Sequence, residues 1–261
     1  MLANDREKYE AFFKNFGLQL KYGMYADYGA HKDTLKDLVL FASSNGEHPT
    51  TLAEYVSRMK EDQKAIYYAC GESAARIALL PQAEAVRDKG YEILYLTDNV
   101  DEFALKMLMQ YDEKPFQNVS ADDLDLRSEE EKKDAEKQAA ANKDLLNFLT
   151  EALDGKVKAV ILSNRLKSHP VCLSSEGAIS LEMEKVLNAM PSGDKVQAQR
   201  VLEINANHPI FAKLAKLYGD GDKDRAAKYA KLLYNQALLI EGVSIEDPLA
   251  FSNDICDLMV E

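Results

Sequence analysis

The sequence of 261 residues has no tryptophan, three cysteines and four histidines, and nowhere a run near the roughly 18 apolar residues that a membrane-spanning helix needs. Each shortage excludes something. Cys70, Cys172 and Cys256 are far apart, odd in number and set among apolar neighbours, the pattern of reduced structural thiols in a cytoplasmic protein. His31, His48, His169 and His208 have no companion at metal-ligand spacing, and neither Cys-x-x-Cys nor His-Glu-x-x-His occurs, so no metal is expected. The glycines never gather into Gly-x-Gly-x-x-Gly or a phosphate-cradling Gly-x-x-x-x-Gly-Lys-Ser/Thr. Gly71-Glu72-Ser73 opens a helix where an anion could sit, but Glu72 repels one. Asp220 to Asp224 alternates carboxylates like a calcium loop, yet Arg225 and Lys231 occupy the positions that require Gly and Glu. Positive charge is also short: 32 Lys and Arg against 44 Asp and Glu leave a net charge of -12 with no basic cluster, which disfavours nucleic acid and anionic membrane as partners. The opening MLANDREKYEAFF is charged where a signal peptide would be apolar.

What is present is organised around Glu54 to Ser73, EYVSRMKEDQKAIYYACGES. Tyr55, Val56 and Met59 share one side of a short helix while Glu54, Arg58 and Lys60 stay wet. Ala65 to Cys70 (AIYYAC) is a continuous apolar run too short for a helix, so it reads as a strand covered on both faces. Ser73 caps a helix from Glu72 to about Lys89, Gly90 ends it, and Tyr91 to Thr97 (YEILYLT) is a second buried strand. Strand, helix and strand in so short a span predict a parallel, right-handed βαβ unit. A helix from Val100 to Tyr111 and an edge strand within Lys114 to Ser120 complete it. Helices over Arg6 to Leu20 and His31 to Phe41 precede it, and Asn45 to Pro49 reads as a loop.

From Ala121 to Lys137 the chain is highly charged and lacks aromatics, which marks a solvated hinge and the domain boundary. Beyond it a helix with Leu145, Leu146, Phe148, Leu149 and Leu153 leads to strands Val157 to Leu162, Val171 to Ser174 and Arg200 to Asn205. A helix from Ala178 to Met190 carries Ile179, Met183, Val186, Leu187 and Met190 as one apolar stripe, with Met lending it flexibility. The stripe has two readings, packing on its own sheet or an open contact surface.

The last helices, Lys223 to Glu241 and Pro248 to Val260, have more apolar circumference than one small domain covers. Leu232, Leu233, Ala237 and Ile240 of the first and Phe251, Ile255, Leu258 and Met259 of the second are the expected faces of a two-fold four-helix bundle. The fold class expected is a small α/β/α subdomain (48–120) behind a helical connector (1–47), then an α+β domain. That domain has a charged linker and helix (121–154), a mixed sheet with helices (155–261) and a helical bundle at its end.

The ordered run EYVSRMK, an acidic-Gln-Lys link, IYY and a turn to Glu-Ser resembles the middle-domain signature of the ninety-kilodalton heat-shock chaperones, of the bacterial high-temperature protein G type. Arg165-Leu166 with Ser168-His169-Pro170, and Asn207-His208-Pro209, resemble the entry and a junction of that family's C-terminal domain. The resemblance implies the later part of a middle domain plus a dimerisation domain, with the larger half of the middle domain lying before Met1. It implies a fragment that binds unfolded or partly folded clients and homodimerises without being an enzyme. ATP, magnesium and the phosphate-contacting Arg would belong to upstream parts of the full-length parent. Phe103, Ile179, Met183, Val186, Leu187 and Met190 match client-facing positions, and the seventy-kilodalton heat-shock chaperone is a further conceivable partner. Two other readings stand beside it: a small α/β enzyme using Cys70, Glu72 or Asp98 at the strand ends, and a dimerisation scaffold with no client role.

Overall fold

The computed structural model describes residues 1–2, 4–191 and 195–260. The chain forms two compact units, the first built from Met1–Leu79, Val86–Val119 and the short segment that begins at Lys185, the second from Leu80–Ala85 and the rest of the chain after Ser120.

The first unit opens with the long helix α1 (Arg6–Gly29), capped by Asp5, whose side chain accepts from Lys8 N. Its last turn leaves helical geometry at Ala26, Asp27 and Tyr28. The one-turn helix α2 (Lys32–Leu35) follows. The helix expected as far as Phe41 therefore stops early. Val39 and Leu40 are buried, and Phe41 begins strand β1 (Phe41–Ser43). The stretch expected as a loop instead makes the turn and edge strand β2 (Gly46–Thr50), which tolerates Pro49 because nothing pairs beyond it.

Helix α3 (Leu52–Ser57) starts in a reciprocal Thr51–Glu54 capping box. It leads to β3 (Ile66–Cys70) and α4 (Ala74–Ile77). Pro81 breaks the continuous helix that periodicity suggests: a 3₁₀ turn at Pro81–Ala83 separates α4 from α5 (Glu84–Asp88). Then come β4 (Ile93–Leu96), α6 (Asp101–Leu108), β5 (Gln110–Tyr111) and β6 (Lys114–Asn118).

The sheet order is β2-β1-β4-β3-β6-β5, with β3 parallel to both β4 and β6. The βαβ unit is thus as the sequence indicates, but β6 is an inner strand. Tyr111-Asp112-Glu113-Lys114 turns tightly, with Asp112 and Glu113 at positive φ, and lays β5 on its outer side.

The family-like stretch owes its order to one buried hydroxyl. Tyr55, fully buried, donates to Glu92 O at 2.5 Å and accepts from Gln63 Nε2 and from Tyr67 N, both at 3.0 Å. Arg58 holds the Glu92 carboxylate at 2.9 Å, and Lys60 Nζ donates to Lys89 O at 2.6 Å, closing the end of α5. Tyr, Arg, Lys and Gln at these spacings therefore stitch α3 and its following loop across two parallel strands.

In the second unit, α7 (Glu129–Ala141) begins at a Ser128–Glu131 capping box and buries no residue, as a wet helix should. After it come α8 (Lys143–Ala152), β7 (Ala159–Leu162), β8 (Val171–Glu176), α9 (Leu181–Ala189) and β9 (Gln199–Ile204). Three helices end the chain: α10 (Pro209–Gly219), α11 (Lys223–Ile240) and α12 (Pro248–Met259). The sheet order is β7-β9-β8, with β7 parallel and β8 antiparallel to β9. Its core joins Leu145, Leu149, Leu173, Leu202, Leu214 and Leu233.

Candidate functional site

In the first unit Phe103 lies on α6, half-buried, with its ring 5.6 Å from Tyr25 of α1 in an edge-on contact. The start of α6 is fixed from below. Lys21 of α1, almost fully buried, reaches Asp98 Oδ2 at 2.8 Å and Asp101 Oδ1 at 2.7 Å, with its ammonium 4.8 Å from the Phe41 ring centre. Burial pushes the Asp101 carboxyl up against the opposing pull of Lys21. Two of the three residues of the enzyme reading are engaged in ion pairs, Asp98 with Lys21 and Glu72 with Arg76 one turn along.

The apolar stripe is graded, with Ile179 and Met183 assigned to the second unit and Val186, Leu187 and Met190 to the first. Ile179 precedes α9 and packs partly against the core, Val186 is buried, Met183 and Leu187 are half-buried, and Met190 is 50% exposed. Ser180 caps the helix, its Oγ accepting from Met183 N. Glu184 anchors it, accepting from Arg200 Nη2 at 2.6 Å and from Ala198 N at 2.8 Å, while Arg200 Nη1 donates to Tyr234 OH.

The expected pairing face needs correction on α11. Leu232, Leu233 and Ala237 are buried, the last two inside the core of their own chain, because α8 and β8 already cover that side. Ile240 is half-buried. On α12 no residue is buried: Phe251, Ile255 and Leu258 are half-covered and Met259 is 78% exposed. Sequence reasoning missed Leu239, Leu249 and Val260, all exposed. By helical spacing Leu249 and Val260 fall on the side of α12 away from Phe251, Ile255 and Leu258. Lys228 ties α12 to α11 through Asp254 at 3.4 Å and Asp257 at 2.5 Å.

The motif-bearing loop between β7 and β8 is a clasp. Arg165 and Glu203, each about 1% exposed, lie 3.1 Å apart, and Ser163 Oγ donates to Glu203 Oε2 at 2.7 Å. Asn205 Nδ2 donates to Lys167 O and His169 O. Cys172 is fully buried, and burial pushes its thiol well up, which fits an inert structural residue.

Glu84, at the start of α5, accepts from Lys167 N, from the Ser168 hydroxyl and from His169 Nδ1 at 2.8 Å. Burial alone would raise its carboxyl, but these donors outweigh it and hold the pKa at about 2. Its contribution to stability is therefore complete above the unfolded-state value and is lost as pH falls through about 2. Glu84→Gln is expected to cost on the order of 1–3 kcal/mol at neutral pH. The variant should also lose part of the wild-type fall in melting temperature between neutral and strongly acidic pH. Parallel acid slopes for the two proteins would refute the assignment.

The chain is thus two α/β units, with a last helix, α12, that buries no residue and leaves Leu249 and Met259 exposed. Comparison places it more narrowly: the Hsp90 protein family matches residues 1–261, and the chain belongs to that family. It is similar to chaperone protein HtpG of Clostridium acetobutylicum, of Clostridium perfringens and of Halalkalibacterium halodurans. Each is 58% identical over 259 residues, which is 99% of this chain. The chain spans 41% of the length of these relatives. Among the described residues no group of three or more His, Cys, Asp or Glu could hold a metal, and no helix is long and apolar enough to cross a membrane.

Proposed function

We propose that this chain is the client-holding and pairing part of an ATP-driven chaperone, residues 1–120 supplying the end of a middle domain and 121–261 a dimerisation domain. The observation that carries the reading is the α9 stripe, which leaves Met190 exposed and Met183 and Leu187 only half-buried in a chain whose relatives are named chaperones. Phe103 with Tyr25 forms a second, aromatic contact on the first unit. Flexible Met-bearing surfaces suit many weak apolar partners. The partners on this reading are unfolded polypeptides and a second copy of the chain. ATP and magnesium would be bound by other parts of the parent protein.

The test is nucleotide-free suppression of the aggregation of a heat-unfolded protein, comparing this chain with an Ile179→Ser, Met183→Ser, Leu187→Ser variant. Loss of most suppression is expected while circular dichroism and molecular mass stay unchanged. Equal suppression by a folded variant would move the client surface away from α9. An unfolded variant would make the stripe core, and Met190→Ser, at the most open position, would then decide whether the surface is used.

A further inference from the structure

Asn45 is the only asparagine of the chain followed by glycine, and it stands at the tip of the β1–β2 hairpin. Ser44, Asn45, Gly46, Glu47 and His48 are all exposed, and the His48 side chain is 87% open to solvent. The ladder beneath is irregular. Phe41 pairs with Thr50 and Ser43 with Gly46, so four steps along β2 answer two along β1. Pro49 adds no amide donor there. Asn45 N donates to Ser43 Oγ at 3.2 Å, and nothing lies within 4 Å of where a Gly46 side chain would start. Asn45 and Gly46 are therefore open to solvent at the end of an irregular ladder whose last pair is Ser43 with Gly46, and the Asn45 side chain has room to reach the Gly46 nitrogen when that single terminal pair opens.

We infer that Asn45 is a site of spontaneous deamidation in the folded protein. The Gly46 amide gives its proton to solvent base, and its nitrogen bonds to Asn45 Cγ. The Cγ–Nδ2 bond breaks, and ammonia leaves a cyclic imide. Water then opens the ring. Cleavage at Cγ gives aspartate, and cleavage at the backbone carbonyl gives isoaspartate, with the main chain routed through Cγ. Either product adds a carboxylate beside Glu47. The second also adds a methylene to the turn, while the Phe41–Thr50 pair, below the irregularity, keeps the sheet edge in register.

The experiment is to age the full chain in warm, mildly alkaline buffer without denaturant and to map its peptides by mass spectrometry. The expected result is two chromatographically separate products of one mass at Asn45, each with amide exchanged for hydroxyl. One of them accepts methyl groups from an isoaspartyl methyltransferase, and both accumulate several-fold faster than conversion at any other asparagine. An Asn45→Gln variant should stay folded and lose both products. Conversion at Asn45 no faster than at the other asparagines, or appearing only after denaturant is added, would overturn the inference.

Discussion

Glu203→Leu is expected to lower the stability of the second unit by about 3–5 kcal/mol, because it leaves the Arg165 guanidinium buried without its carboxylate. Both side chains are about 1% exposed and 3.1 Å apart, so water cannot take over the role of either. Desolvating two ions costs several kcal/mol each, so the pair itself adds little net stability, and the damage comes from breaking it. Arg165→Met with Glu203→Leu should therefore recover most of the loss, unlike two independent defects, which would add. The Ser163 hydroxyl, which bonds Glu203 and also accepts from Arg165 N and Leu166 N, keeps the fold of the loop in both variants. Urea midpoints of wild type, both single variants and the double variant form the cycle. A single-variant cost below about 1 kcal/mol, the range of exposed ion pairs, would remove the clasp from the account.

Ile255→Asp with Leu258→Asp is expected to convert a dimer of this chain to monomer with its fold intact. No residue of α12 is buried in the single chain, while Phe251, Ile255, Leu258 and Met259 share one helical side by their spacing. Burying such a side chain is worth about 1.5–3 kcal/mol. A two-fold axis counts each substitution twice, and because Ile255 and Leu258 are already half-covered in the single chain the pair removes roughly 3–6 kcal/mol of burial, to which the cost of enclosing four carboxylates is added. The contrast lies one helix earlier. Leu233→Ala should cost about 2–5 kcal/mol of folding stability and leave the association constant of the folded protein unchanged, because Leu233 belongs to the chain's own core. Sedimentation across a concentration series reads the first effect and urea unfolding the second. A dimer that survives both aspartates would move the pairing face off α12.

Much of the architecture can be read from local pattern. The runs AIYYAC and YEILYLT are too short and too apolar to be anything but covered strands, and they pair in parallel as their spacing requires. The capping signal at Ser73 was equally direct, its side chain accepting from Arg76 N. The failures have common physical causes. A strand as short as Phe41–Ser43 has no periodicity of its own, and its identity comes from β4 beside it, which no local window contains. Asn45 to Pro49 has loop composition, yet an edge strand needs only half the backbone donors of an inner one, so Pro49 fits. Pro81 is a legible helix breaker, and apolar spacing on either side of it masked the break. On α11 the apolar count was right and its allocation was not. Periodicity reports that a face is covered without saying by which chain, and here α8 and β8 cover Leu233 and Ala237. The same blindness explains Phe103, whose neighbour Tyr25 lies 78 positions earlier in the chain and could be found only in three dimensions.

That allocation has a consequence for how copies of the chain mix. Because Leu233, Ala237 and Leu238 close the core of the second unit from within, a protomer released from any pairing through α12 keeps its interior dry. On the proposed pairing through α12, separation would expose one helix stripe and no core. Protomers so paired would trade partners in a mixed population without passing through an unfolded state, and a damaged copy would be replaced by dissociation alone.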